Sequence, residues 1–280
     1  MTTTAAIWGI SWVCGRVIAA DGVPPFTAAS ARFLFGSLGL LGVMMMRRPW
    51  PRIDFELAWK LAAMGFFGVF LYNLCFFTGL RTVPAGRASL LASLQPVFVF
   101  LGSVLFWREG MTSSKIAGLL LGLAGASLVL SQGMPTRLFR SGLNTGDLWV
   151  LGCAISWAAY TLVGRMVMGR ISAIAATAYS TWFGTAALMA FSIPRSPSSA
   201  GWSAQIWMAA AFLGIAGTTI AFLLYLKGVG QIGASRASIF INLVPVFAVI
   251  SSYFLLGEAI SASTLTGGAI VIAGVYLLNR

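Results

Sequence analysis

One segment of this chain occurs twice. Residues 87–98 read RASLLASLQPVF and reappear in related form as residues 236–247, which read RASIFINLVPVF, at a separation of 149 positions. The same separation relates Trp8 to Trp157, Arg16 to Arg165, Glu109 to Glu258, Gly118 to Gly267 and Gly125 to Gly274. Because one register relates positions along most of the chain, the sequence predicts two copies of one folding unit. We place them at residues 1–132 and 144–280, joined by a linker at 133–143.

The composition indicates a chain that lies in a membrane. The sequence is 59% hydrophobic and only 9% charged, whereas soluble domains carry about 25% charged residues. Apolar runs long enough to cross a bilayer recur along its length. We expect ten of them, at about 3–19, 25–46, 58–78, 84–107, 113–131, 146–168, 173–193, 204–227, 233–256 and 262–279. The predicted fold is therefore an all-α integral membrane protein, with ten transmembrane helices in two five-helix repeats around a central cavity.

An odd number of helices per repeat fixes the relative direction of the two units. After five crossings the second unit enters the membrane from the opposite side, so the repeats should be inverted. If the N-terminus is cytoplasmic, most loop Lys and Arg residues fall inside, as the positive-inside rule requires. We therefore expect a multi-pass protein of the cell inner membrane with both termini cytoplasmic. The 47–57 loop should lie inside and the 132–146 linker outside.

The net charge of +12 does not indicate a nucleic-acid partner. The Lys and Arg residues lie mostly at the ends of apolar runs, where they orient helices and meet lipid headgroups. The chain has no His, and the spacing of Cys14, Cys75 and Cys153 suits neither a disulfide framework nor a zinc site. We expect no metal, no cofactor and no nucleic acid, and a lipid bilayer around the helices.

The repeated motifs resemble those of a known family of membrane carriers. Each half has Arg-Ala-Ser followed by Pro in its fourth helix and a Glu ahead of a Gly-rich fifth helix, as in the EamA-type branch of the drug/metabolite transporter superfamily. The aromatic-rich first helix and residues 30–33 are similar to the bacterial aromatic amino acid exporters of that branch, the YddG type. The resemblance covers nearly the whole chain. It implies ten helices, cytoplasmic termini and export of metabolites.

The first helix of each half carries a candidate substrate wall. Trp8, Ser11 and Trp12 share one helical face. Their repeat counterparts are Trp157, Tyr160 and Thr161. Lipid-facing positions seldom carry hydroxyls at this depth, because an unpaired polar group is costly there. The pattern favours a cavity wall that stacks a planar substrate, and the alternative is an aromatic belt at the membrane interface.

The fourth helices carry two polar side chains ahead of a proline. Ser89 and Ser93 precede Pro96, and in the second half Ser238 and Asn242 precede Pro245. A proline removes one backbone hydrogen bond and frees the carbonyl four residues earlier, and broken helices of this kind often line transporter substrate sites. We expect the polar faces to bind substrate and the prolines to act as hinges. A kink without ligand contact is the alternative.

The third helices add aromatic and amide groups to the candidate site. Tyr72, Asn73 and Phe76 lie on the first of them, and Tyr225 is the repeat counterpart of Phe76. Asn73 is difficult to place against lipid, so it should face a cavity or bond a neighbouring helix. We include all four residues in the candidate substrate site.

Arg32 is the one charge well inside an apolar segment. The favoured interpretation is that its guanidinium bonds backbone carbonyls or reaches the outer interface, and the alternative is contact with a substrate carboxylate. The acidic residues fall at or near the segment ends. Among them, Glu109 and Glu258 are expected to cap helices or form ion pairs at loops.

The fifth helices carry stripes of small residues. Gly118, Gly122 and Gly125 form the first stripe, and Gly267 and Gly274 belong to the second. Such stripes allow close helix approach. They predict peripheral helices that brace their own half or meet a second copy, so we expect a monomer and leave a homodimer open.

These features predict a carrier rather than an enzyme. Without His or a buried acid pair, zinc hydrolysis and acid–base chemistry lack their usual groups, and no charged ring or carbonyl-rich loop indicates a channel. We expect export of small metabolites, mainly aromatic amino acids and similar amphipathic compounds, by alternating access. The alternatives are a broad-specificity drug carrier, an integral-membrane enzyme, or a nucleotide-sugar carrier, which would need several cations in its cavity.

Overall fold

The structure is a computed structural model that describes residues 1–108, 110–134, 144–167, 169–192, 201–232, 240–241 and 243–278. The regular elements of these ranges are helices, which confirms the all-α prediction. The helices are α1 (Thr2–Ala20), α2 (Pro25–Met45), α3 (Phe55–Gly79), α4 (Ala85–Trp107), α5 (Ser113–Leu130), α6 (Thr145–Val167), α7 (Ala173–Ser192), α8 (Ala204–Ala211, Phe212–Ile220 and Ala221–Ile232), α9 (Val244–Leu256) and α10 (Ala262–Leu278).

The helix ends follow from local sequence chemistry. Asp54 begins α3 by accepting a hydrogen bond from the Leu57 N–H at 2.8 Å, and Ser203 caps α8 in the same way. Pro25 occupies the first turn of α2, where the missing N–H costs nothing. Gly257 ends α9 with a φ of 66°, a left-handed conformation that glycine adopts without strain.

Seven helices are long and apolar enough to cross a membrane: α1 to α6 and the Ala204–Tyr225 part of α8. Among the described residues, α9 and α10 are shorter apolar helices. Helix α7 carries several hydroxyl side chains, including Thr177, Ser180, Thr181 and Thr185. The seven long apolar helices confirm a multi-pass membrane protein. The number of ten crossings stays a prediction.

Helices α3 and α8 share a feature that the sequence did not indicate. Each contains a π-helical stretch, Phe66–Leu71 in α3 and Phe212–Ile220 in α8, and residues 215–220 are the repeat counterparts of 66–71. A π turn leaves carbonyls free to accept other donors. The Ser156 hydroxyl donates to the Phe67 carbonyl at 2.7 Å, and the Trp8 indole donates to the Gly217 carbonyl at 2.9 Å. The two stretches thus each receive a side chain from the first helix of the other half.

Helix α4 is interrupted in the middle. Its first part ends at Ala92 and its second begins at Gln95, with Ser93 and Leu94 in a tight turn between them. Pro96 lies in the first turn of the second part, and Pro245 lies in the first turn of α9. In α4 the break precedes Pro96, and the proline starts a new helical segment. The role of the two prolines as hinges stays a prediction.

Helices α5 and α10 pack closely against each other with antiparallel register. A Cβ atom added to Gly125 would lie 2.7 Å from the Gly267 carbonyl oxygen and from the Val271 nitrogen. One added to Gly274 would lie 2.8 Å from the Gly118 carbonyl oxygen. The two stripes thus join the halves to one another, and a Cβ on Gly122 would also lie 3.2 Å from the Val97 side chain of its own half.

Several other close contacts also run between the halves. Ser30 bonds Ser192 at 2.9 Å and Ser37 bonds Thr185 at 3.0 Å, which joins α2 to α7. Helix α1 approaches α9, where a Cβ on Gly9 would lie 2.9 Å from the Ala248 nitrogen. This interleaving places an internal cavity between the halves.

Candidate functional site

A cavity of about 720 Å³ lies between the two halves. Its lining includes twelve of the residues predicted for the substrate site and the hinges: Trp8, Ser11, Trp12, Tyr72, Phe76, Ser89, Ser93, Pro96, Trp157, Tyr160, Tyr225 and Pro245. Asn73 lines a small adjoining space of about 40 Å³. Ser238 and Asn242 lie outside the described residues. The structure thus brings the described members of the predicted set together, from both ends of the sequence.

Aromatic rings form an arc along the wall of this cavity. Neighbouring ring centroids in the arc lie 4.9 to 6.4 Å apart, within the range of favourable aromatic pairs. The arc contains, in order of contact, Tyr225, Trp8, Phe222, Trp157, Tyr72, Phe76 and Trp12. It is therefore a continuous apolar surface to which both halves contribute.

Phe222 is the arc member that the predicted site omits. It contacts Trp8 at 5.5 Å and Trp157 at 6.4 Å, and so connects the first helices of the two halves. The repeat register could have identified Phe222 as a candidate, because residue 222 is the counterpart of Asn73. An aromatic ring in place of an amide gives the second half no polar group at this position.

The hydroxyl groups of the lining bond within their own helices. Ser11 donates to the Ile7 carbonyl at 2.8 Å, Ser89 to Gly86 at 2.7 Å and Ser93 to Leu90 at 2.6 Å. Each hydroxyl has one proton, so these bonds leave only its acceptor lone pairs for a ligand. In this conformation the three groups are suited to accept a hydrogen bond, from an ammonium group for instance, rather than to donate one.

Arg32 carries the charge at the centre of the site. Its NH1 group donates to the Asn73 Oδ1 atom at 2.9 Å, and its guanidinium carbon lies 5.1 Å from the Phe33 ring and 5.6 Å from the Phe76 ring. The favoured interpretation of Arg32 is therefore wrong. Within the described residues its guanidinium bonds the side-chain amide of Asn73 at the cavity, and it neither bonds a backbone carbonyl there nor extends to the membrane interface. Within a membrane span such a charge costs about 2.5–3.5 kcal/mol or more and marks a functional position by default.

Two further cations line the cavity and were not assigned to it from the sequence. Lys115, at the start of α5, and Arg165, near the end of α6, are both part of the lining. The Arg165 guanidinium lies 4.8 Å from the Trp107 ring, and the Lys115 ammonium lies 5.4 Å from the Phe100 ring. Because these residues lie at the helix ends on the side of the N-terminus, the cavity extends to that side, which we call the N-terminal face.

Polar contacts join the helix ends on the opposite face. The Glu258 carboxylate accepts the Ala85 N–H, at the first residue of α4, with a distance of 2.9 Å to Oε2. Arg16 Nε lies 3.7 Å from Glu258 Oε1, and Arg16 also donates to the Leu80 carbonyl. An anion at a helix N-terminus is favourable. The prediction that Glu258 caps or pairs at a loop agrees with these contacts, whereas Glu109 lies outside the described residues.

A second ion pair strengthens the opposite face. Arg87 NH2 lies 2.8 Å from Asp147 Oδ2 and donates to the Leu130 carbonyl at 3.1 Å. These bonds connect the first part of α4 to the end of α5 and the start of α6. Together with the Glu258 contacts, they join the helix ends of the two halves on this side among the described residues.

On the N-terminal face, Arg170 joins the start of α3 to the loop between α6 and α7. It lies 2.5 Å from Asp54 Oδ2 and 3.0 Å from Glu56 Oε2. The Leu57 N–H, with a further contribution from Arg170, holds the pKa of Asp54 below its usual value. These groups are exposed to solvent, so the ion pairs there contribute little to stability.

The Glu258 contacts generate a test of closure. In Glu258→Gln, Ala85 N–H loses its charged acceptor and Arg16 loses its ion-pair partner, so the opposite face should open more often. We expect about a fivefold faster reaction of a single cysteine at Ser11 with a membrane-impermeant thiol reagent from that face, corresponding to about 1 kcal/mol. The measurement uses vesicles of both orientations and a background without Cys14, Cys75 and Cys153.

Glu56→Gln is the matched control for this test. It removes a carboxylate that forms ion pairs on the N-terminal face and should leave labelling from the opposite face unchanged. An unchanged rate in Glu258→Gln, or an equal increase in both variants, would contradict closure by Glu258.

Comparisons with known proteins give the family. The model of the EamA-like transporter family matches residues 1–131 and 144–280. An uncharacterized transporter of Archaeoglobus fulgidus is 27% identical over 100% of this chain and 97% of its own length. A protein of Streptantibioticus cattleyicolor, described as a "probable terminal-alkyne amino-acid exporter", is 29% identical over 100% of this chain and 92% of its own length.

A solved structure shares the fold. A crystal structure of a protein with 22% identity superposes with a TM-score of 0.66 and covers 99% of this chain and 94% of that one. At this identity the likeness concerns the fold alone. The two family matches together span nearly all of the sequence, and the chain belongs to the EamA-like transporter family.

Proposed function

We propose that this protein exports small amphipathic metabolites from the cytoplasm, with aromatic and other apolar amino acids as its main cargo, by alternating access. The observation that carries the proposal is the central cavity, in which an aromatic arc passes the half-buried Arg32 guanidinium at Phe76. Its volume of about 720 Å³ lies in the range of small-molecule sites, about 300–1,000 Å³. A planar apolar side chain could stack on the arc while its polar head lies near Arg32.

One relative supports amino acids as the cargo class. The Streptantibioticus protein described as an amino-acid exporter is similar to this chain along its whole length. Membership of a transporter family also favours a carrier over an enzyme. The aromatic arc narrows the proposal to amino acids with apolar side chains, since a small polar amino acid would leave the arc uncovered.

The packing of α5 and α10 supports two inverted five-helix repeats. The contacts of Gly125 with Gly267 and Val271 have the same pattern as those of Gly274 with Gly118 and Gly122, and the separation of 149 positions converts one set into the other. Two equivalent antiparallel helices that meet in this way are expected at a two-fold axis in the membrane plane. We therefore propose ten crossings, with the halves at 1–132 and 144–280.

The two faces of the cavity differ in the way expected of an exporter that is ready to bind cargo, with one face open and the other closed. The lining reaches Lys115 and Arg165 at the N-terminal face, while Glu258 and Arg16 close the opposite one. With cytoplasmic termini in the inner membrane, as the distribution of Lys and Arg predicts, the cavity faces the cytoplasm. Cargo would then enter from the side on which it is made.

Pro96 in α4 and Pro245 in α9 mark the proposed hinges. Pro96 and Pro245 each lie in the first turn of a helical segment, where proline causes no strain. The turn at Ser93 and Leu94 provides a place for α4 to bend without breaking further hydrogen bonds. If the halves are inverted, bending of α4 and of its counterpart should act on opposite faces.

A phosphorylated cargo is the second candidate. The described lining includes three cations, Arg32, Lys115 and Arg165, whereas the sequence indicated Arg32 alone. Phosphate groups favour such clusters, but Lys115 and Arg165 lie at the mouth rather than beside the arc. Competition with a nucleotide sugar in the uptake assay below separates the two candidates, because only a phosphate carrier would be inhibited.

Uptake of labelled phenylalanine into proteoliposomes, with and without a pH gradient, tests the proposed function. We expect saturable uptake that Trp12→Ala, Tyr72→Ala and Trp157→Ala each weaken by about two- to twelvefold in apparent affinity, because an aromatic pair contributes about 0.5–1.5 kcal/mol beyond buried area. The control is Phe254→Ala, which removes an aromatic ring that is 77% exposed. No uptake by the wild type would contradict the proposal, and normal uptake by all three variants would place stacking elsewhere.

The hinges are tested with the cysteine at Ser11. Pro96→Ala and Pro245→Ala each restore a backbone N–H and allow the flanking helical segments to join. We expect both variants to transport slowly, and the labelling of Ser11→Cys from one face to rise in one variant and fall in the other by about twofold or more. Pro51→Ala, in a loop, is the control. A shift of the same sign in both variants, or none, would rule out opposed hinges.

A further inference from the structure

We propose that Arg32 binds a carboxylate group of the cargo, so that the protein selects amphipathic monocarboxylates over the corresponding amines and alcohols. The inference rests on the proposed function and adds the chemical group by which the substrate is recognised. In this inference, Arg32 determines which substrates bind rather than how α2 folds.

The position of Arg32 gives it access to the cargo. It lies about 10 Å along α2 from Pro25, from a rise of 1.5 Å per residue, and lines both the large cavity and the small adjoining one. Phe76 contacts Trp12 at 4.9 Å and also lies 5.6 Å from the Arg32 guanidinium carbon. The cation therefore lies beside the aromatic arc at Phe76, where the head group of a stacked ligand would be.

Asn73 holds the guanidinium in place without neutralising it. The Asn73 Nδ2 group donates to the Val69 carbonyl at 2.8 Å, which directs Oδ1 toward Arg32 NH1. Asn73 has no exposed surface, so this arrangement is rigid. An amide oxygen supplies a hydrogen bond but no negative charge, and Arg32 keeps its full positive charge.

The Arg32 guanidinium has more N–H donors than its hydrogen bond to Asn73 uses. It carries five N–H groups in a planar fork, and the Arg32 Nε atom is buried with no hydrogen-bond partner in the described structure. A carboxylate can bond two neighbouring donors of such a fork at once. With NH1 held by Asn73, the unsatisfied Nε–H and the NH2 group next to it form the side of the guanidinium that can bind a bidentate anion.

The surroundings contain no competing anion. Among the residues described for the large and small cavities, none is Asp or Glu. An unpaired charge away from bulk water is unfavourable, and a bound carboxylate would remove that cost. The acceptor lone pairs of Ser11 and Ser89, which line the same cavity, suit an ammonium group, so the cavity offers partners for both charged groups of an amino acid.

Binding of four related probes to the purified protein in lipid nanodiscs tests this inference. The probes are phenylalanine, 3-phenylpropionate, phenylalaninol and phenethylamine, which share one ring and differ in the carboxylate and the amine. We expect the wild type to bind both carboxylates at least about tenfold more tightly than the alcohol and the amine, as a charged hydrogen bond in a shielded site should provide. Equal binding of the two carboxylates and of the two amines that lack a carboxylate, phenylalaninol and phenethylamine, would overturn the inference.

Three variants separate recognition from structural support. Arg32→Gln should lose the preference for carboxylates while retaining weak binding of all four probes, and Arg32→Lys should keep part of it. Asn73→Asp gives Arg32 a permanent internal partner and should also abolish the preference with the guanidinium still present. Arg52→Gln, an exposed loop substitution, should leave the preference intact. Thermal unfolding followed by Trp fluorescence establishes that each variant is folded.

The outcomes distinguish this inference from the proposed function. If Arg32→Gln weakens all four probes equally, Arg32 has a structural role and the inference fails. If proteoliposomes take up phenylalanine and phenethylamine alike, the carrier proposal stands and only the role of Arg32 fails. If none of the probes binds or is transported, both proposals fail.

Discussion

Lipid offers no hydrogen bonds, and this constraint accounts for where the polar groups of the protein lie. Each charged or amide group that is not at a helix end must find its partners inside the protein. Arg32 donates one hydrogen bond to Asn73 at the cavity, and Ser11 and Ser89 bond their own helices. The two halves therefore meet along a polar and aromatic interior, and their outer surfaces remain apolar.

The same constraint explains the closed face. Arg16, Arg87, Glu258 and Asp147 lie at helix ends, where they bond backbone groups and one another across the halves. The Arg16–Glu258 pair retains partial access to water, so it can be exchanged at low cost, whereas the Arg87–Asp147 pair is largely buried. A carrier needs closures of this kind on both faces, formed in turn.

Much of the fold and the composition of the site could be predicted from the sequence. The separation of 149 positions marked Trp8 and Trp157 as equivalent before any contact was known, and the structure places both on one cavity. The pairing of Arg32 with Asn73, 41 positions later, could not be predicted, because it depends on how α2 packs against α3. The sequence also did not predict the π-helical stretches or the break after Ala92, because tertiary contacts rather than local propensity decide them.

The central claim is that one site between two inverted halves opens to the two faces in turn. Spin-label distances measure this directly, with one pair at the exposed positions Met111 and Met166 on the N-terminal face and another at Asp21 and Ala262 on the opposite face. On addition of phenylalanine to the protein in nanodiscs, the account predicts that the Met111–Met166 distance shortens as the Asp21–Ala262 distance lengthens. Distances that change in the same direction on both faces, or that stay constant while transport proceeds, would contradict it.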